Sequence, residues 1–558
     1  MEISNKAIVQ KIVEECLNNG VKHIVFSPGS RNAPFAISFD RNPFFQTHVI
    51  HDERAAAFYA LGIAQTLNEP VVLCCTSGSA ALNYFPALSE SFYRQQPLLI
   101  LSADRPKKLI NKGQGQTIMQ DDLFGKHSKR SWSIEEVDKT SFTETATEFF
   151  QELTTPPLGP MHLNVHLEEP LYGLSKHVFK ALKPKELGQD AVYPSFELNN
   201  KELAKFSNKK ILVLCGQGSN DIALKRELID FSKNSNVVVL NENTSALNDP
   251  SFVNCIDRTL NSITPKTAKR FTPDIIITIG GAVVSKKIKT FFVENPPKQH
   301  IAIHPKEIGT DLFLRRDFYY NSIASDYFLS LNMNATLLNT LNFKASWQQL
   351  DCQIRDRLPE YFVSQKNETD LEVFNALYQV LPENCTLHLG NSSVVRYMQL
   401  FDPIKDVLYE CNRGTSGIDG CTSTAVGCAI ASPKRQHVFV SGDISFIYDS
   451  NALWIKPFPK NLKMIVIDNK GGGIFKIIDG PKTSNQLERY FEAKHDADVS
   501  SIAEGFGIKV YDHKKDKGYQ EKIIHFFQDE QAQLLVLETD SEENPKDLNR
   551  FFKHLKNA

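Results

Sequence analysis

The sequence has little net charge, no paired-cysteine motif and no long apolar run. Its 63 Lys and Arg residues nearly balance 65 Asp and Glu residues, so the formal net charge at pH 7 is −2. This balance does not indicate a nucleic-acid partner or an anionic membrane surface. Every apolar run is too short to span a bilayer, so we expect no membrane insertion. The opening segment, MEISNKAIVQKIVEECLNNG, reads as an acidic amphipathic helix, and we expect no signal peptide there.

The ten cysteines are scattered and form no CxxC pair. This spacing argues against a zinc site and against a disulfide framework. Cys74 and Cys75 are adjacent inside a strand-like run, where buried thiols are ordinary. We therefore expect reduced cysteines and a cytoplasmic protein.

The chain is too long for a single hydrophobic core, and its strand-like runs alternate with helix-like segments. At 558 residues, the length predicts about three domains. The alternation is typical of parallel α/β sheets, so we predict three doubly wound parallel-sheet domains. The polar stretch 183–200, with Pro184 and Pro194, reads as a linker. We place the domains at 1–182, 183–345 and 346–558.

The middle block contains a short glycine motif, Gly216-Gln217-Gly218, after a strand-like run. It could be a nucleotide loop, but the third glycine of GxGxxG is missing. A tight turn between a strand and a helix is the preferred interpretation, and we assign this block no cofactor.

Two polar anchors follow apolar runs in the last block. Asp443 comes after HVFVSG, and Asn469 ends the run KMIVIDN. Because open parallel sheets bind ligands beyond the carboxyl ends of their strands, these side chains are candidates for one site. A carboxylate, an amide oxygen and a backbone carbonyl from the turn that follows, such as that of Gly471, would suit Mg²⁺ bound to a diphosphate. The alternative is two ordinary strand ends with an Asp and an Asn in turns.

A second candidate is Glu53, which opens the small-residue helix in HDERAAAFYALGIAQ. A glutamate at a helix start is commonly a capping residue or a partner of the helix dipole. It could also act as a proton donor and acceptor if it is partly desolvated.

The spacing of Asp443 and Asn469 resembles the GDG…NN motif of thiamin diphosphate enzymes, with Ile444 and Asp468 as departures. Eight ordered segments make the resemblance specific: SPGSRNAPFA, HDERAAAF, TSGSAALNYFPALSES, SADRP, GQTIMQ, GNSSVVR, NRGTSGIDG and GDISFIYDSNAL. Together they resemble the MenD family, the 2-succinyl-5-enolpyruvyl-6-hydroxy-3-cyclohexene-1-carboxylate synthases of menaquinone biosynthesis. The first and third blocks match closely and the middle block loosely.

This resemblance implies the thiamin-enzyme architecture, with a pyrimidine-binding domain (1–182), a central domain without cofactor (183–345) and a diphosphate-binding domain (346–558). It implies thiamin diphosphate with Mg²⁺, or Mn²⁺ as an alternative, held by Asp443, Asn469 and the Gly471 carbonyl. Glu53 would promote cofactor activation by sharing a proton with the aminopyrimidine ring. Ile418 would prop the two cofactor rings into a bent shape. The remaining cofactor contacts implied are Ser392, Gly442, Ser445, Ile474 and Phe475.

The resemblance also implies two anionic substrates, 2-oxoglutarate and isochorismate. Decarboxylation of 2-oxoglutarate would give a succinyl carbanion that adds to isochorismate. Arginine suits such substrates, because it grips carboxylates with two hydrogen bonds and keeps its charge when desolvated. The substrate contacts implied by motif position are Ser30, Arg31, Arg105, Gln116, Lys286, Ser392, Arg396 and Arg413. Lys286 is the weakest, since Lys287 is next to it, and Gly115 stands where many members have Asn.

Three other interpretations remain open from the sequence. A carboligase or decarboxylase of the acetolactate-synthase or pyruvate-decarboxylase type would act on smaller keto acids and would not need so many arginines. An FAD-carrying relative would use the middle block. An inactive relative would act only by binding, although the retained Glu53, Asp443 and Asn469 argue against it. The resemblance further implies a homodimer with shared active sites, assembled into a homotetramer.

Overall fold

A computed structural model of the chain describes residues 1–136, 139–179, 197–307, 311–334, 342–364, 368–478, 480–511 and 518–556. These residues form two compact units. The first unit comprises 1–192, 414–434 and 449–462, and the second comprises 193–413, 435–448 and 463–558. The predicted linker lies outside the described residues as far as residue 196.

Both units contain β-strands. In chain order they are β1 (Glu2–Ser4), β2 (His23–Phe26), β3 (Gln46–Val49), β4 (Val71–Cys75), β5 (Leu98–Asp104), β6 (Arg130–Glu135), β7 (Met161–His166), β8 (Leu174–Lys176), β9 (Ile211–Cys215), β10 (Val237–Asn241), β11 (Ile275–Ile279), β12 (Gln299–Ile303), β13 (Phe318–Tyr320), β14 (Cys385–Leu389), β15 (Leu408–Glu410), β16 (Gln436–Gly442), β17 (Leu462–Asp468) and β18 (Leu534–Glu538).

The α-helices fall mostly between these strands. In chain order they are α1 (Ala7–Asn18), α2 (Ala33–Asp40), α3 (Glu53–Leu67), α4 (Ser79–Asn83), α5 (Phe85–Arg94), α6 (Lys139–Thr154), α7 (Asn200–Leu203), α8 (Ile222–Phe231), α9 (Ile256–Leu260), α10 (Ala268–Phe271), α11 (Lys286–Glu294), α12 (Ala324–Asn334), α13 (Phe343–Ser364), α14 (Asp370–Val380), α15 (Ser393–Met398), α16 (Cys421–Ala431), α17 (Asp443–Tyr448), α18 (Val499–Gly505), α19 (Tyr519–Gln528) and α20 (Asn544–Lys556). In the part of the chain that the structure describes, no helix combines the length and apolar composition needed to cross a membrane.

The first unit is built on a six-stranded parallel sheet with the order β3-β2-β4-β5-β7-β6. The inner strands β2, β4, β5 and β7 are buried along their whole length, as expected for a sheet covered on both faces. Residues of α1, α2 and α6 share one core with Val72, Cys74, Leu99 and Leu101, while α3 packs on β2, β4 and β5.

The chain start departs from the sequence prediction. A helix was predicted from the first residues, but α1 begins only at Ala7. Residues 2–4 instead form β1, which pairs antiparallel with β8 and buries Ile3 completely. The Ser4 hydroxyl accepts a hydrogen bond from the Lys6 backbone N–H at 3.3 Å, so the serine side chain competes with helix formation here.

Two glycines let α3 and α16 approach closely within the first unit. A Cβ on Gly62 would lie 2.2 Å from the Thr424 carbonyl oxygen, and a Cβ on Gly427 would lie 2.1 Å from the Tyr59 carbonyl oxygen. Only glycine permits such backbone contact. The helix that begins at Glu53 is therefore held firmly against α16.

The second unit contains two five-stranded sheets. Their orders are β10-β9-β11-β12-β13 and β15-β14-β16-β17-β18. The middle-sheet pairs are parallel, as are β14 with β15, β14 with β16, and β17 with β18. Alternate residues of the middle sheet belong to two cores, one with α8 and α12 and the other with α9, α11 and α13. The predicted doubly wound α/β class is confirmed, whereas the three domain boundaries remain a prediction.

The topology brings polar turns together at one edge of the last sheet. Strand β14 ends at Leu389, β16 at Gly442 and β17 at Asp468. These strands are neighbours in the sheet. Since the carboxyl ends of adjacent parallel strands share an edge, the turns that carry Ser392, Asp443 and Asn469 lie near one another.

Candidate active site

Asp443 connects two of these turns. It opens α17, is only 2% exposed, and accepts hydrogen bonds from the Ile444 N–H at 2.7 Å and the Gly471 N–H at 3.0 Å. The second bond draws the glycine-rich turn after β17 toward the carboxylate. The chain thus places a buried anionic oxygen beside a flexible backbone turn.

Asn469 supplies an oxygen that needs a partner. Its side chain hydrogen-bonds Asp370 in a way that favours the Asp370 carboxylate, so its amide N–H₂ is the donor. Its buried Oδ1 has no hydrogen-bond partner among the described residues. Buried polar atoms are normally satisfied, so this oxygen marks a place for a ligand. Together with Asp443 and the Gly471 carbonyl, it forms an all-oxygen set that fits Mg²⁺.

A second carboxylate crowds the same place. Burial, and then the charge and hydrogen bond of the neighbouring Asp468 carboxylate, raise the pKa of Asp443 to about 7. Asp468 also bonds the Lys470 amine, with 2.5 Å between Oδ2 and Nζ. A divalent cation would relieve the crowding of two acids. His495, whose Nε2 is 3.4 Å from Asp443 Oδ2, was missed because it lies in a different loop.

The other predicted cofactor contacts of the second unit surround this turn. Gly442 is the last residue of β16, and Ser445 is buried in α17. Ile474 and Phe475 belong to the short 3-10 helix Gly473–Lys476, and the Phe475 ring lies 5.9 Å from the Phe491 ring. Ser392 precedes α15 with a φ of 75°, which is unusual for a residue other than glycine, and its side chain makes no capping bond. Such backbone strain is typical of functional turns.

Arg396 and Arg413 are the substrate candidates of the second unit. Arg396 Nη1 donates to the Val284 carbonyl oxygen at 3.0 Å, and Arg413 Nη1 donates to Asn391 Oδ1 at 2.9 Å. The Nε of each arginine is buried and has no hydrogen-bond partner among the described residues. Burial, and then the charge of Arg413, lower the pKa of Arg396. A bound anion would therefore stabilise the two guanidinium groups.

A cavity of about 540 Å³ opens beside Arg396. Its lining contains three cations, Lys286, Lys287 and Arg396, two acids, Asp257 and Glu294, and apolar side chains that include Phe291, Ile474 and Phe552. Lys286 is exposed and begins α11. The Lys287 amine lies 3.3 Å from the centre of the Phe552 ring, and burial lowers its pKa to about 8. Both lysines line the cavity, so the structure does not single out Lys286 as the sequence prediction did.

Glu53 is the first residue of α3 in the first unit. Asp52 caps this helix by accepting the Ala55 N–H at 2.8 Å, and Asn451 in turn donates to Asp52 at 2.6 Å. Burial, and to a lesser degree the charge of Asp52, raise the pKa of Glu53. Asp52 carries the capping role, so Glu53 is available for proton transfer in the partly desolvated setting that the prediction requires.

Ile418 lies in a loop that packs on the same helix. A Cβ on Gly420 would fall 2.1 Å from the Phe58 ring, one turn along α3 from Glu53. The buried Glu90 carboxylate holds the loop start by accepting the Gly414 N–H at 2.8 Å and the Thr415 N–H at 2.6 Å. Glu90 lies inside one of the matched segments, but its position alone could not reveal this role.

The remaining substrate candidates occupy turns of the first unit. Arg31 is 5% exposed, pairs with Glu169 at 3.0 Å and donates to the Leu167 carbonyl oxygen at 3.2 Å. Arg105 follows β5, and its carbonyl oxygen lies 2.6 Å from His166 Nδ1. Gln116 is exposed and has a φ of 56°.

The last two predicted positions of the first unit are the small residues Ser30 and Gly115. Ser30 is exposed and precedes α2. A Cβ on Gly115 would meet nothing within 4 Å, so the position has room for a larger residue.

Other buried acids were not found from the sequence. Glu242 directly follows β10 and is fully buried. Asp449 is also fully buried and accepts hydrogen bonds from the Ser423 N–H at 2.6 Å and from the Ser423 hydroxyl at 2.7 Å. A charged residue directly after an apolar run is the only local signal, and it is too common to identify a site.

Two described families match the sequence. Residues 7–124 match the family described as thiamine pyrophosphate enzyme, N-terminal TPP binding domain. Residues 390–538 match the C-terminal TPP binding domain of the same enzymes. The first match contains Glu53, and the second contains Asp443 and Asn469.

Curated relatives match over nearly the whole chain. A 2-succinyl-5-enolpyruvyl-6-hydroxy-3-cyclohexene-1-carboxylate synthase from Flavobacterium johnsoniae is 36% identical over 98% of this chain and 99% of that protein. A protein of the same name from Flavobacterium psychrophilum is 37% identical over 98% of each chain. One from Bacteroides fragilis is 31% identical over 99% of this chain and 100% of that protein.

Proposed function

Because the chain belongs to the 2-succinyl-5-enolpyruvyl-6-hydroxy-3-cyclohexene-1-carboxylate synthase family of thiamin diphosphate enzymes, we propose that it joins two anionic substrates. It decarboxylates 2-oxoglutarate and adds the remaining four-carbon unit to isochorismate. The products are 2-succinyl-5-enolpyruvyl-6-hydroxy-3-cyclohexene-1-carboxylate and carbon dioxide, and the reaction is a step of menaquinone biosynthesis.

Asp443, Asn469 and the Gly471 carbonyl would hold Mg²⁺, or Mn²⁺ in its place, and the metal would supply the charge that a diphosphate needs. The unpartnered Asn469 oxygen supports this assignment. Gly442, Ser445, Ile474 and Phe475 contact the cofactor around the same turn. Bound thiamin diphosphate supplies an electron sink for decarboxylation.

Glu53 holds and returns a proton at its carboxylate. Its raised pKa, caused first by burial, supports this role, because a partly desolvated acid shares a proton more readily. Ile418 lies in the loop held by Glu90 and provides an apolar support for the cofactor rings. The Ser392 side chain makes a hydrogen bond to 2-oxoglutarate.

One observation carries the choice of donor: among the described residues, the buried Nε–H groups of Arg396 and Arg413 have no hydrogen-bond partner. The distal carboxylate of 2-oxoglutarate can accept hydrogen bonds from these groups, whereas a monocarboxylate such as pyruvate has no distal carboxylate. Ser30, Arg31, Arg105 and Gln116 contact isochorismate, which also carries carboxylates. Lys286 lines the cavity beside Arg396 and contacts 2-oxoglutarate.

We further propose a homodimer with shared active sites, assembled into a homotetramer, and a cytoplasmic location. The domain division at 1–182, 183–345 and 346–558 is part of the same proposal. Sedimentation at assay concentration tests the assembly, since an active monomer would contradict it.

The activity is tested by adding the two substrates one after the other. The purified protein with thiamin diphosphate and Mg²⁺ is incubated with 2-oxoglutarate alone, and isochorismate is then added while carbon dioxide and product are followed. We expect product only with both substrates, and a much lower kcat/KM when pyruvate replaces 2-oxoglutarate. Equal use of pyruvate would favour a carboligase of broader donor range.

A further inference from the structure

Glu242 grips two successive backbone groups in the second unit. It follows β10 directly and is fully buried. Its Oε2 accepts the Val284 N–H at 2.8 Å, and its Oε1 accepts the Ser285 N–H at 2.7 Å. Both carboxylate oxygens therefore hold the Val284–Ser285 turn that precedes α11. Charge-assisted bonds of this kind are stronger than bonds between neutral groups.

The Val284–Ser285 turn supports two cationic side chains of the cavity. The Val284 carbonyl oxygen accepts the bond from Arg396 Nη1 at 3.0 Å. The Ser285 hydroxyl caps α11 by accepting the Ile288 N–H at 3.0 Å, and Lys286 is the first residue of that helix. A shift of the turn would therefore move both Arg396 and Lys286.

The surroundings of Glu242 explain how a buried acid is tolerated there. Burial raises its pKa to about 7, while the two backbone hydrogen bonds and the charge of Arg413 oppose that rise. Lys289 and Arg396 also interact electrostatically with Glu242, and Asp257 is a second acid nearby. The acid thus offsets part of the repulsion among the cations.

We propose that Glu242 is a positioning residue for the dicarboxylic donor, acting through the Val284–Ser285 turn on the Arg396 guanidinium and the Lys286 amine. Glu242 is absent from the cavity lining, so it acts through other residues. The inference rests on the proposed function, because it takes Arg396 and Lys286 to receive substrate carboxylates. It gives the middle sheet, which carries no assigned cofactor, a part in donor specificity.

The first test replaces Glu242 by Gln. The amide nitrogen of Gln would face one of the two backbone N–H groups, so the turn must shift. We expect the KM for 2-oxoglutarate to rise about tenfold or more while kcat stays within about threefold, the pattern of lost substrate binding. Thiamin diphosphate affinity and kcat/KM for pyruvate turnover to carbon dioxide should change by less than about threefold.

Glu227→Gln is the matched control. Glu227 is also a buried acid beside the middle sheet, and it is held by Arg226 at 2.9 Å and by Asn332 at 2.9 Å. Among the described residues, Glu227 makes no hydrogen bond to the Val284–Ser285 turn, so its loss tests the general cost of removing a buried acid. A donor-selective KM change in this control as well would overturn the specific role of Glu242.

Amide hydrogen exchange across 283–290 gives a readout without substrate. We expect faster exchange of Val284 and Ser285 in Glu242→Gln than in the wild type. If wild type fails to consume 2-oxoglutarate, the proposed function is wrong, yet this measurement still tests the grip on the turn. Unchanged exchange, or an equal loss for both donors, would overturn the inference.

Ser285→Ala serves if Glu242→Gln does not fold. It leaves the Glu242 carboxylate and removes the cap of α11 together with the hydrogen bond that the Ser285 hydroxyl donates to Asp257. We expect a rise of about threefold in KM for 2-oxoglutarate, again without an equal change for pyruvate, because the helix start that carries Lys286 loosens. A change that is the same for both donors would count against positioning through the turn.

Discussion

The two units hold their candidate arginines in different surroundings. In the first unit, Arg31 already pairs with Glu169, whose side chain is 66% exposed. In the second unit, Arg396 and Arg413 hydrogen-bond only neutral groups among the described residues, namely a backbone carbonyl and an asparagine, while Glu242 acts on both through charge alone. A cation without a hydrogen-bonded acid gains most from an arriving carboxylate. Arg396 and Arg413 should therefore gain more from a bound anion than Arg31, although the buried Nε atoms of Arg31 and Arg105 also lack a hydrogen-bond partner among the described residues.

The same contrast extends to the cofactor groups. The second unit offers the buried oxygens of Asp443 and Asn469, which suit binding. The first unit offers Glu53, a partly desolvated acid on a closely packed helix, which suits proton transfer. Substitutions in the second unit should therefore affect affinity, and substitution of Glu53 should affect turnover.

The largest effect is expected for Asp443→Ala. It removes the charged oxygen of the metal site, and changes even to groups that merely support a metal ligand cost about 10–100-fold in affinity. We expect Mg²⁺-dependent binding of thiamin diphosphate to weaken by more than about a hundredfold. Calorimetric titration checks this, and tight binding by the variant would show that the metal site lies elsewhere.

Glu53→Gln tests whether the Glu53 carboxylate of the first unit transfers the proton. It keeps the shape but cannot share a proton as a carboxylate does, so turnover should fall by at least about a hundredfold with folding and cofactor affinity retained. Because burial raises the Glu53 pKa, the acid limb of the wild-type kcat profile should lie above pH 4.5, with activity lost as pH falls. Wild-type turnover by the variant would remove Glu53 from the mechanism.

Arg396→Ala tests whether the distal carboxylate of 2-oxoglutarate binds at Arg396 in the second unit. Leaving a buried substrate carboxylate unpaired costs roughly 2 kcal/mol or more, about thirtyfold in kcat/KM for 2-oxoglutarate. The loss for pyruvate should be much smaller, since pyruvate has no distal carboxylate. Specificity constants are measured for both donors with isochorismate saturating. An equal loss would move the carboxylate pocket to Arg31 or Arg105.

Glu169→Gln sharpens the same comparison from the first unit. An exposed ion pair contributes little, so stability should change by less than about 1 kcal/mol. Freed from its acid partner, Arg31 should bind isochorismate more tightly, by up to about fivefold in KM. Thermal unfolding and steady-state kinetics check the two parts. A weaker isochorismate interaction would mean that Glu169 orients Arg31 productively.

The smallest effect is expected for Gly115→Asn, which introduces the residue that the family resemblance leads us to expect at this position. The open space around this position indicates that the fold tolerates the change. The KM for isochorismate should fall by no more than about threefold, consistent with one exposed hydrogen bond. The KM for 2-oxoglutarate serves as the internal control. A stability loss would show that the turn needs glycine.

Local pattern was sufficient for most of the strands. The apolar runs predicted the inner strands of the parallel sheets, since a buried strand needs apolar side chains on both faces. Glu53, Asp443 and Asn469 were predicted because each lies at an element end inside a recognisable motif. The exceptions are β1 and β8, which pair with each other across the chain, and the edge strands β3, β6 and β13, whose partly exposed side chains form no long apolar run.

Tertiary structure alone decided how the anchors are supported. Glu242 meets Val284 and Ser285, Glu90 meets Gly414 and Thr415, and His495 approaches Asp443, all across long stretches of sequence. The sequence by itself determined the α/β class and the residue types at the turns, because these depend on periodicity and local chemistry. Burial, the resulting pKa shifts and the unpartnered oxygen of Asn469 arise only when distant segments pack together, since desolvation depends on neighbours in space.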